Sequence, residues 1–371
     1  MKIFYITSVL GNRGGSEIYC KDLIQELVRR DHEIVVATTS PYEIDGTKTI
    51  HLPTYGHHAL HKFEAPIFSR KVLEEAFKFK PDLVQSHSNS FMGMIGHQIK
   101  NKLKIPHLLL IELISSQNQN VHTKAVFELE KFFLPKLNYD KLVVWTESIK
   151  QKFLLPWGIE EKKIDVMPAA LNVENYDVNL KGTKIIEDYG ENLIISLKTL
   201  WSTNVMGLEY IIKAIPGVIQ TNPEFKYLIY GGGKEKNRLE KLIEKEKLSS
   251  SVILGGDIKF ENSKEVMAAA TISPHSYVYE FSTSFSLLEF MAMGKPCVVT
   301  NMGSVKEFVQ NSALVVEPSS ESAIAEGINL LIEDTCLRKK LGRKARELVE
   351  KKYSIKASID QLEKNYEEII S

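Results

Sequence analysis

The sequence predicts an α/β protein built from two doubly wound, Rossmann-like domains facing an inter-domain cleft. Three observations carry that prediction. The chain has 371 residues, enough for two domains of ordinary size. In each half, short apolar β-rich runs alternate with amphipathic helical stretches. An irregular polar interval over 173–192 (VENYDVNLKGTKIIEDYGEN) separates the two series.

The first series opens with KIFYITSVL as a strand, meets GNRGG, and continues as SEIYCKDLIQELVRR, where Ile18, Leu23, Ile24 and Leu27 recur at helical spacing. EIVVATT then returns to strand, completing a βαβ unit and implying parallel pairing. KVLEEAFKF and FMGMIGHQIKNKL follow as helices, with DLVQSHS, IPHLLLIEL and KLVVWTE as strands. Beyond the interval, LIISLKTL starts the second series and LEYIIKAIPGVIQ is its first helix. FKYLIYGGG, KEKNRLEKLIEKEK, SVILGG, KEVMAAA, TISPHS, SLLEFMAMG, PCVVTN and ALVVE continue it. The expected division is an N-terminal domain over 1–175 and a C-terminal domain over 190–353. The tail 354–371, an amphipathic helix beginning after a break near Tyr353–Ser354, either packs back on the first domain or lies solvated. Doubly wound sheets bind ligands outside the carboxyl ends of their strands, so the site is expected between the domains.

Composition narrows the function. Hydrophobic residues make up 43% and charged residues 25%, as in an ordinary globular chain. The 47 basic residues balance 47 acidic ones, which removes the electrostatic basis for binding nucleic acid. Cys20, Cys297 and Cys336 are odd in number and far apart, which argues against a disulfide scaffold and fits a reducing compartment. MKIFYITSVLG does not read as a signal peptide, and no uncharged apolar run approaches the length of a membrane span. A cytoplasmic protein is expected. His57, His58 and His61 lie in HHALHKFEAPIFSRK, which reads either as a solvated loop or as a peripheral contact to an anionic lipid surface at the inner membrane face. The other histidines lack metal-ligand spacing, and no metal site is expected.

Four places can carry chemistry. Gly14 and Gly15 join the first strand to the first helix, where backbone N–H groups can approach an anion; the alternative is a tight turn with Ser16 as helix cap. Ser282, Thr283 and Ser284 precede an apolar helix closed by Gly294 and Pro296, and offer donors to a diphosphate at the helix's positive end. Glu289 on that helix can take two hydroxyl hydrogens from a ribose, or can form a purely structural capping box with Ser286. Lys198 ends a strand, as a surface lysine or as a cation for a leaving phosphate. Glu112 interrupts LLLIELI at a strand end, where it is either paired in a site or turned to solvent. His87 and His275 lie at further strand ends.

Together these pieces resemble the family-4 retaining glycosyltransferases of the GT-B fold, over nearly the whole chain. GGSEIYCKDLIQELVRRDHEI is similar to that family's opening glycine loop and first helix. YLIYGGGKEKNRLEKLIEKEKLSSSVILGG is similar to its strand, glycine turn, charged helix and base-binding turn. The most specific match, STSFSLLEFMAMGKPCVVTNMGSVKEFV, is similar to its donor-binding helix with the strand and glycine turn behind it. The resemblance implies a hexosyltransferase-type enzyme that moves a sugar from a nucleotide-diphosphate sugar to an acceptor hydroxyl, on a glycan or a lipid-linked carrier, with retention and with neither cofactor nor catalytic metal. It implies Glu289 as ribose ligand and Ser284, Phe285, Ser286 and Leu287 as donors to the diphosphate. Gly231 and Gly232 would contact the donor, and Gly14 and Gly15 the donor phosphate or acceptor. Lys198 would be the diphosphate cation, Glu112 would lie near the transferred sugar, and His87 on the acceptor side.

The chain also departs from the family pattern. Counting back from Glu289 through the family's Glu-x7-Glu reaches Phe281, so the carboxylate offered as catalytic, Glu280, comes one residue early. Lys198 stands at an arginine position, Met206 where a lysine precedes Gly207, Glu112 where the family has histidine, and Pro168-Ala169-Ala170 for its PNG turn. The alternative these departures motivate is a non-catalytic nucleotide- or glycan-binding or scaffold protein derived from a transferase.

Overall fold

The structure is a computed structural model and describes residues 1–11, 14–52, 65–88, 90–114, 121–279 and 283–371. The chain forms two compact units, Met1–Leu171 with Ile355–Ser371, and Asn172–Ser354.

The first unit holds a seven-stranded, wholly parallel sheet. Its strands are β1 (Lys2–Thr7), β2 (Glu33–Thr38), β3 (Lys48–His51), β4 (Leu83–Ser88), β5 (His107–Ile111), β6 (Lys141–Val144) and β7 (Ile164–Val166), in spatial order β3-β2-β1-β4-β5-β6-β7. The order reverses beside β1, which pairs with β2 on one side and β4 on the other. Such a switch point opens a crevice at the carboxyl ends of the strands. Strands β1, β2 and β5 are largely apolar on both faces because helices cover both, whereas β4 buries the polar Gln85, Ser86 and His87. Phe4, Ile6, Val35 and Val84 pack with Phe91, Ile95 and Ile99, while Leu109, Ile111, Leu142 and Val144 pack with Leu134 and Leu154. Sequence reading missed β3, β7 and the helix Val121–Phe133. The two strands are short and lie at the sheet edges, where few buried positions create a pattern.

The C-terminal helix Ile355–Ile370 belongs to this unit and is not solvated. Ile359, Leu362 and Tyr366 are fully buried, and the Tyr366 hydroxyl bonds Gln85 on β4. Arg30 bridges Asp360 and Glu363 at 2.6 and 2.7 Å, and Gln361 and Asn365 both donate to Asp165.

The second unit carries β8 (Leu193–Leu197), β9 (Lys226–Tyr230) and β10 (Val252–Gly256) in one parallel sheet, and β11 (Ser273–His275), β12 (Cys297–Thr300) and β13 (Leu314–Val316) in another. A single bridge, Ile194 to Ile272, joins β8 to the second sheet. The ladder cannot continue because Pro274 has no N–H. Side chains replace it: Ser196 Oγ donates to the Pro274 carbonyl at 3.1 Å, and Ser273 Oγ to the Ile195 carbonyl at 2.9 Å. The interval read as irregular contains a helix, Thr183–Tyr189. None of its residues is buried, so it leaves no amphipathic signal. Gly182 before it has φ +63°, and a Cβ there would stand 2.5 Å from the Ala269 nitrogen, so glycine is required where the turn meets the helix Phe260–Ala269.

Candidate active site

In the second unit, Lys198 follows directly on β8, at the carboxyl end of the sheet. Its backbone is held by the glycine turn after β9. Lys198 N–H donates to the Tyr230 carbonyl, and Leu200 N–H to that of Gly232. A Cβ on Gly231 would stand 1.9 Å from the Lys198 carbonyl oxygen, and one on Gly233 2.3 Å from that of Leu200. Gly231 and Gly233 also have φ of +146° and +154°. Gly231, expected only as a donor contact, is thus required by close backbone approach. Gly232 sits between them, its Cβ position 3.0 Å from the Asp257 carboxyl carbon.

Lys198 is half-buried as a residue, and its ammonium donates to Ser284 Oγ at 3.1 Å and lies 5.0 Å from the Tyr277 ring centre. Ser284 is the N-cap of the helix Phe285–Ala292 and accepts from the Leu287 N–H. The positive end of that helix and the lysine ammonium therefore converge on one hydroxyl. That concentrates positive potential in a way suited to an anion. Ser286, expected as a diphosphate donor, instead gives its hydroxyl to the Leu197 carbonyl at 2.7 Å. The capping box of Ser286 with Glu289 does not form, because the helix begins at Phe285 and Ser284 occupies the cap. Phe285 and Ser286 place their N–H groups in the first turn.

Glu289, one turn inside, accepts from the Tyr176 hydroxyl at 3.0 Å. Burial raises its pKa to about 7, against the opposing pull of that hydroxyl and of the Lys198 and Lys264 charges. Burial lowers Lys198 to about 8, against the attraction of Glu289. Acid and base are thus both poised near neutrality. Arg346 stabilises the arrangement by donating to the Tyr176 and Ala292 carbonyls at 2.7 and 2.6 Å, which pins the Tyr176 segment to the helix bearing Glu289. Sequence reasoning missed Tyr176 and Arg346. Tyr176 lies in the polar interval, and nothing local links it to a helix 113 residues on. Met206, at the expected lysine position, receives the Tyr279 hydroxyl on its sulfur at 3.1 Å. His275 is buried on Ser273 Oγ, and burial together with Lys198 lowers its pKa, so the ring is neutral.

In the first unit, Glu112 follows β5 and is 5% exposed, so it is not turned to solvent. Its Oε1 lies 2.9 Å from Nε2 of His87, which is fully buried, and His87 Nδ1 lies 2.6 Å from the Tyr5 hydroxyl. The register explains the meeting: Tyr5 on β1 pairs with Gln85, and His87 is two residues on, facing the same side. Both ring nitrogens of His87 are engaged within the protein. Gly14 caps the helix Gly15–Arg29 in extended conformation, which puts Ser16 inside the first turn rather than at the cap. Among the described residues beyond its chain neighbours, no atom lies within 4 Å of a Cβ at Gly14, so their packing does not require glycine there.

Glu280, Ser282, His57, His58 and His61 lie outside the described residues. Among the described residues, no group of three or more His, Cys, Asp or Glu side chains could hold a metal ion, and no helix is long and apolar enough to cross a membrane.

Residues 13–175 match Glycosyltransferase Family 4, and residues 183–348 match Glycosyl transferases group 1. An uncharacterised glycosyltransferase of Methanocaldococcus jannaschii is 25% identical over 378 residues, 95% of each chain. Among solved structures, sucrose-phosphate synthase from Thermosynechococcus elongatus superposes with a TM-score of 0.82 at 20% identity, over 99% of both chains. HepE of Anabaena, in complex with UDP-glucose, superposes with a TM-score of 0.80 at 15% identity, over 99% of this chain and 100% of that one. With two parallel-sheet Rossmann-like units and both matches in chain order, this protein belongs to the group 1, family 4 glycosyltransferases, retaining enzymes of the GT-B fold that transfer a sugar from a nucleotide-sugar donor.

Proposed function

We propose that the donor is a UDP-hexose and that the hexosyl group passes to a hydroxyl of a glycan or lipid-linked acceptor without a catalytic metal. The observation that carries this reading is the convergence of Lys198, the capping hydroxyl of Ser284 and Glu289 about one helix N-terminus. Lys198 neutralises the diphosphate as the bond to the sugar breaks, and the N–H groups of Phe285 and Ser286 share that charge. Positive groups aimed where negative charge develops lower the barrier most. Leu287 N–H, held by Ser284 in the free protein, joins them as Ser284 turns to the phosphate. Glu289 accepts the two ribose hydroxyls, Gly231 and Gly232 border the donor, and Gly14 and Gly15 border its phosphate or the acceptor. Glu112 faces the transferred sugar. The uridine base is supported by the UDP-glucose held by HepE.

The deciding experiment is a thermal-shift comparison of UDP, GDP, ADP and CMP, followed by UDP-glucose turnover. A ligand at about 100 times its Kd stabilises by roughly 2.7 kcal/mol. UDP is expected to raise the Tm and the others not, with the effect lost in Glu289→Ala. A preference for another base overturns the uridine assignment. Binding without turnover of any sugar conjugate favours the non-catalytic reading, which Met206 at the expected lysine position also favours.

A further inference from the structure

His87 is a buried titratable group that donor binding leaves unexplained. It sits at the carboxyl end of β4, in the row of strand ends where a doubly wound sheet takes its ligand. Tyr5 reaches one ring nitrogen from β1 and Glu112 the other from the end of β5. The ring is wedged edge-on against Tyr5 and Tyr19, at 5.9 and 5.7 Å between centres, and Tyr19 is braced in turn on Trp145. The next residue, Ser88, has φ +108°, a conformation a serine keeps only when its surroundings impose it. Its hydroxyl meets that of Ser8 at 2.8 Å, tying the end of β4 to the end of β1. This much constraint fixes the imidazole and, through it, one carboxylate oxygen.

We propose that Tyr5 and His87 are positioning residues that hold Glu112 as an oriented carboxylate at the carboxyl edge of the first sheet, where it stabilises positive charge developing on the transferred sugar. The inference rests on the donor reading above. In the transfer, the bond between the anomeric carbon and the diphosphate oxygen breaks with its electron pair going to the diphosphate. The acceptor oxygen bonds that carbon, and the acceptor's proton ends on the departing diphosphate. The sugar ring is electron-poor between these events, as in glycoside hydrolysis, so a fixed anion beside it lowers the barrier. Glu112 serves only if ionised, and a carboxylate 5% exposed needs a partner to stay so.

His87 provides that partner. The groups facing the ring are Tyr5 from β1, Tyr19 and Cys20 from the helix Gly15–Arg29, and Glu112. Burial works against the imidazolium, but Cys20 and Glu112 outweigh it and raise the His87 pKa. The protonated ring donates from Nε2 to Glu112 and from Nδ1 to the Tyr5 oxygen, which satisfies both nitrogens.

Two measurements test this. The first is 15N NMR of histidine-labelled protein without substrate. His87 is expected to be imidazolium at about pH 8 in the wild type and to lose its proton at lower pH in Glu112→Gln. A neutral wild-type ring, or a titration that Glu112→Gln leaves unmoved, overturns the proposal. The second is the rate of UDP release from UDP-glucose. His87→Gln keeps an N–H donor but loses the charge. It is expected to lower kcat at least about tenfold, with KM for UDP-glucose unchanged. Glu112→Gln is expected to lower kcat by about 10²-fold or more. An unchanged kcat in a folded His87→Gln protein, or a loss confined to KM, also overturns the positioning role. A wild type that binds UDP-glucose but releases no UDP refutes the functional reading alone, and the ring measurement still decides the pair.

Discussion

On the proposed donor reading, the poised pair at the donor site is expected to make UDP-glucose affinity a bell-shaped function of pH. Glu289 has a pKa of about 7 in the free protein, and it must be ionised to accept two ribose hydroxyls. Below that value each pH unit removes a factor of ten from the competent population and costs about 1.4 kcal/mol of binding. Lys198 has a pKa of about 8 and must be protonated to pair with the diphosphate. Above that value affinity falls by the same factor. The maximum lies between the two values, and because the groups attract one another the limbs belong to the pair. Glu289→Gln is expected to abolish the acid limb and weaken binding by about 1.5–3 kcal/mol, the range for hydrogen bonds to a charged group. Lys198→Met is expected to abolish the alkaline limb. The assay is calorimetric titration with UDP-glucose at constant ionic strength from about pH 6 to about pH 9, a window bracketing both limbs. UDP-glucose is chosen because its diphosphate has no ionisation near neutrality. A flat wild-type profile, or an acid limb that survives in Glu289→Gln, refutes the assignment of these two groups.

Three further outcomes are expected. Gly231→Ala forces a Cβ against the Lys198 carbonyl at φ +146°, and should cost at least about 2 kcal/mol in chemical denaturation while weakening UDP-glucose binding as Lys198→Met does; unchanged stability would show that the turn relaxes freely. Tyr176→Phe removes the hydroxyl that favours the Glu289 carboxylate, so the acid limb should move to higher pH with little change in affinity at about pH 8, and an unshifted limb argues against that bond. Tyr366→Ala empties a fully buried site under the C-terminal helix and should destabilise the first unit by about 3–5 kcal/mol, read by denaturant unfolding and by hydrogen exchange along Ile355–Ile370.

Much of the fold was legible because hydrophobic periodicity is local. KIFYIT, LIISL and KYLIY are strands whichever partner they find, and the intervening amphipathic runs are helices. Reading failed where burial left no pattern, as in the exposed helix Thr183–Tyr189 and the edge strands Lys48–His51 and Ile164–Val166. The candidate site was legible only as residue types at strand ends. A lysine after a strand, a serine-rich helix start and a glutamate inside an apolar run are visible in one dimension. Their partners are not.

The sequence by itself determined the α/β class, two series of parallel strands, and the placing of Lys198 and Glu112 at strand ends, since each follows from the alternation of apolar and polar residues along the chain. Only the tertiary structure decided that Ser284 rather than Ser286 caps the helix, that Tyr176 holds Glu289, that Gly231 lies against Lys198, and that His87 binds Glu112. These contacts join residues 25 to 113 positions apart, or turn on where one helix begins. A hydrogen bond at 3 Å depends on how sheets and helices pack, which the periodicity of either segment alone does not encode.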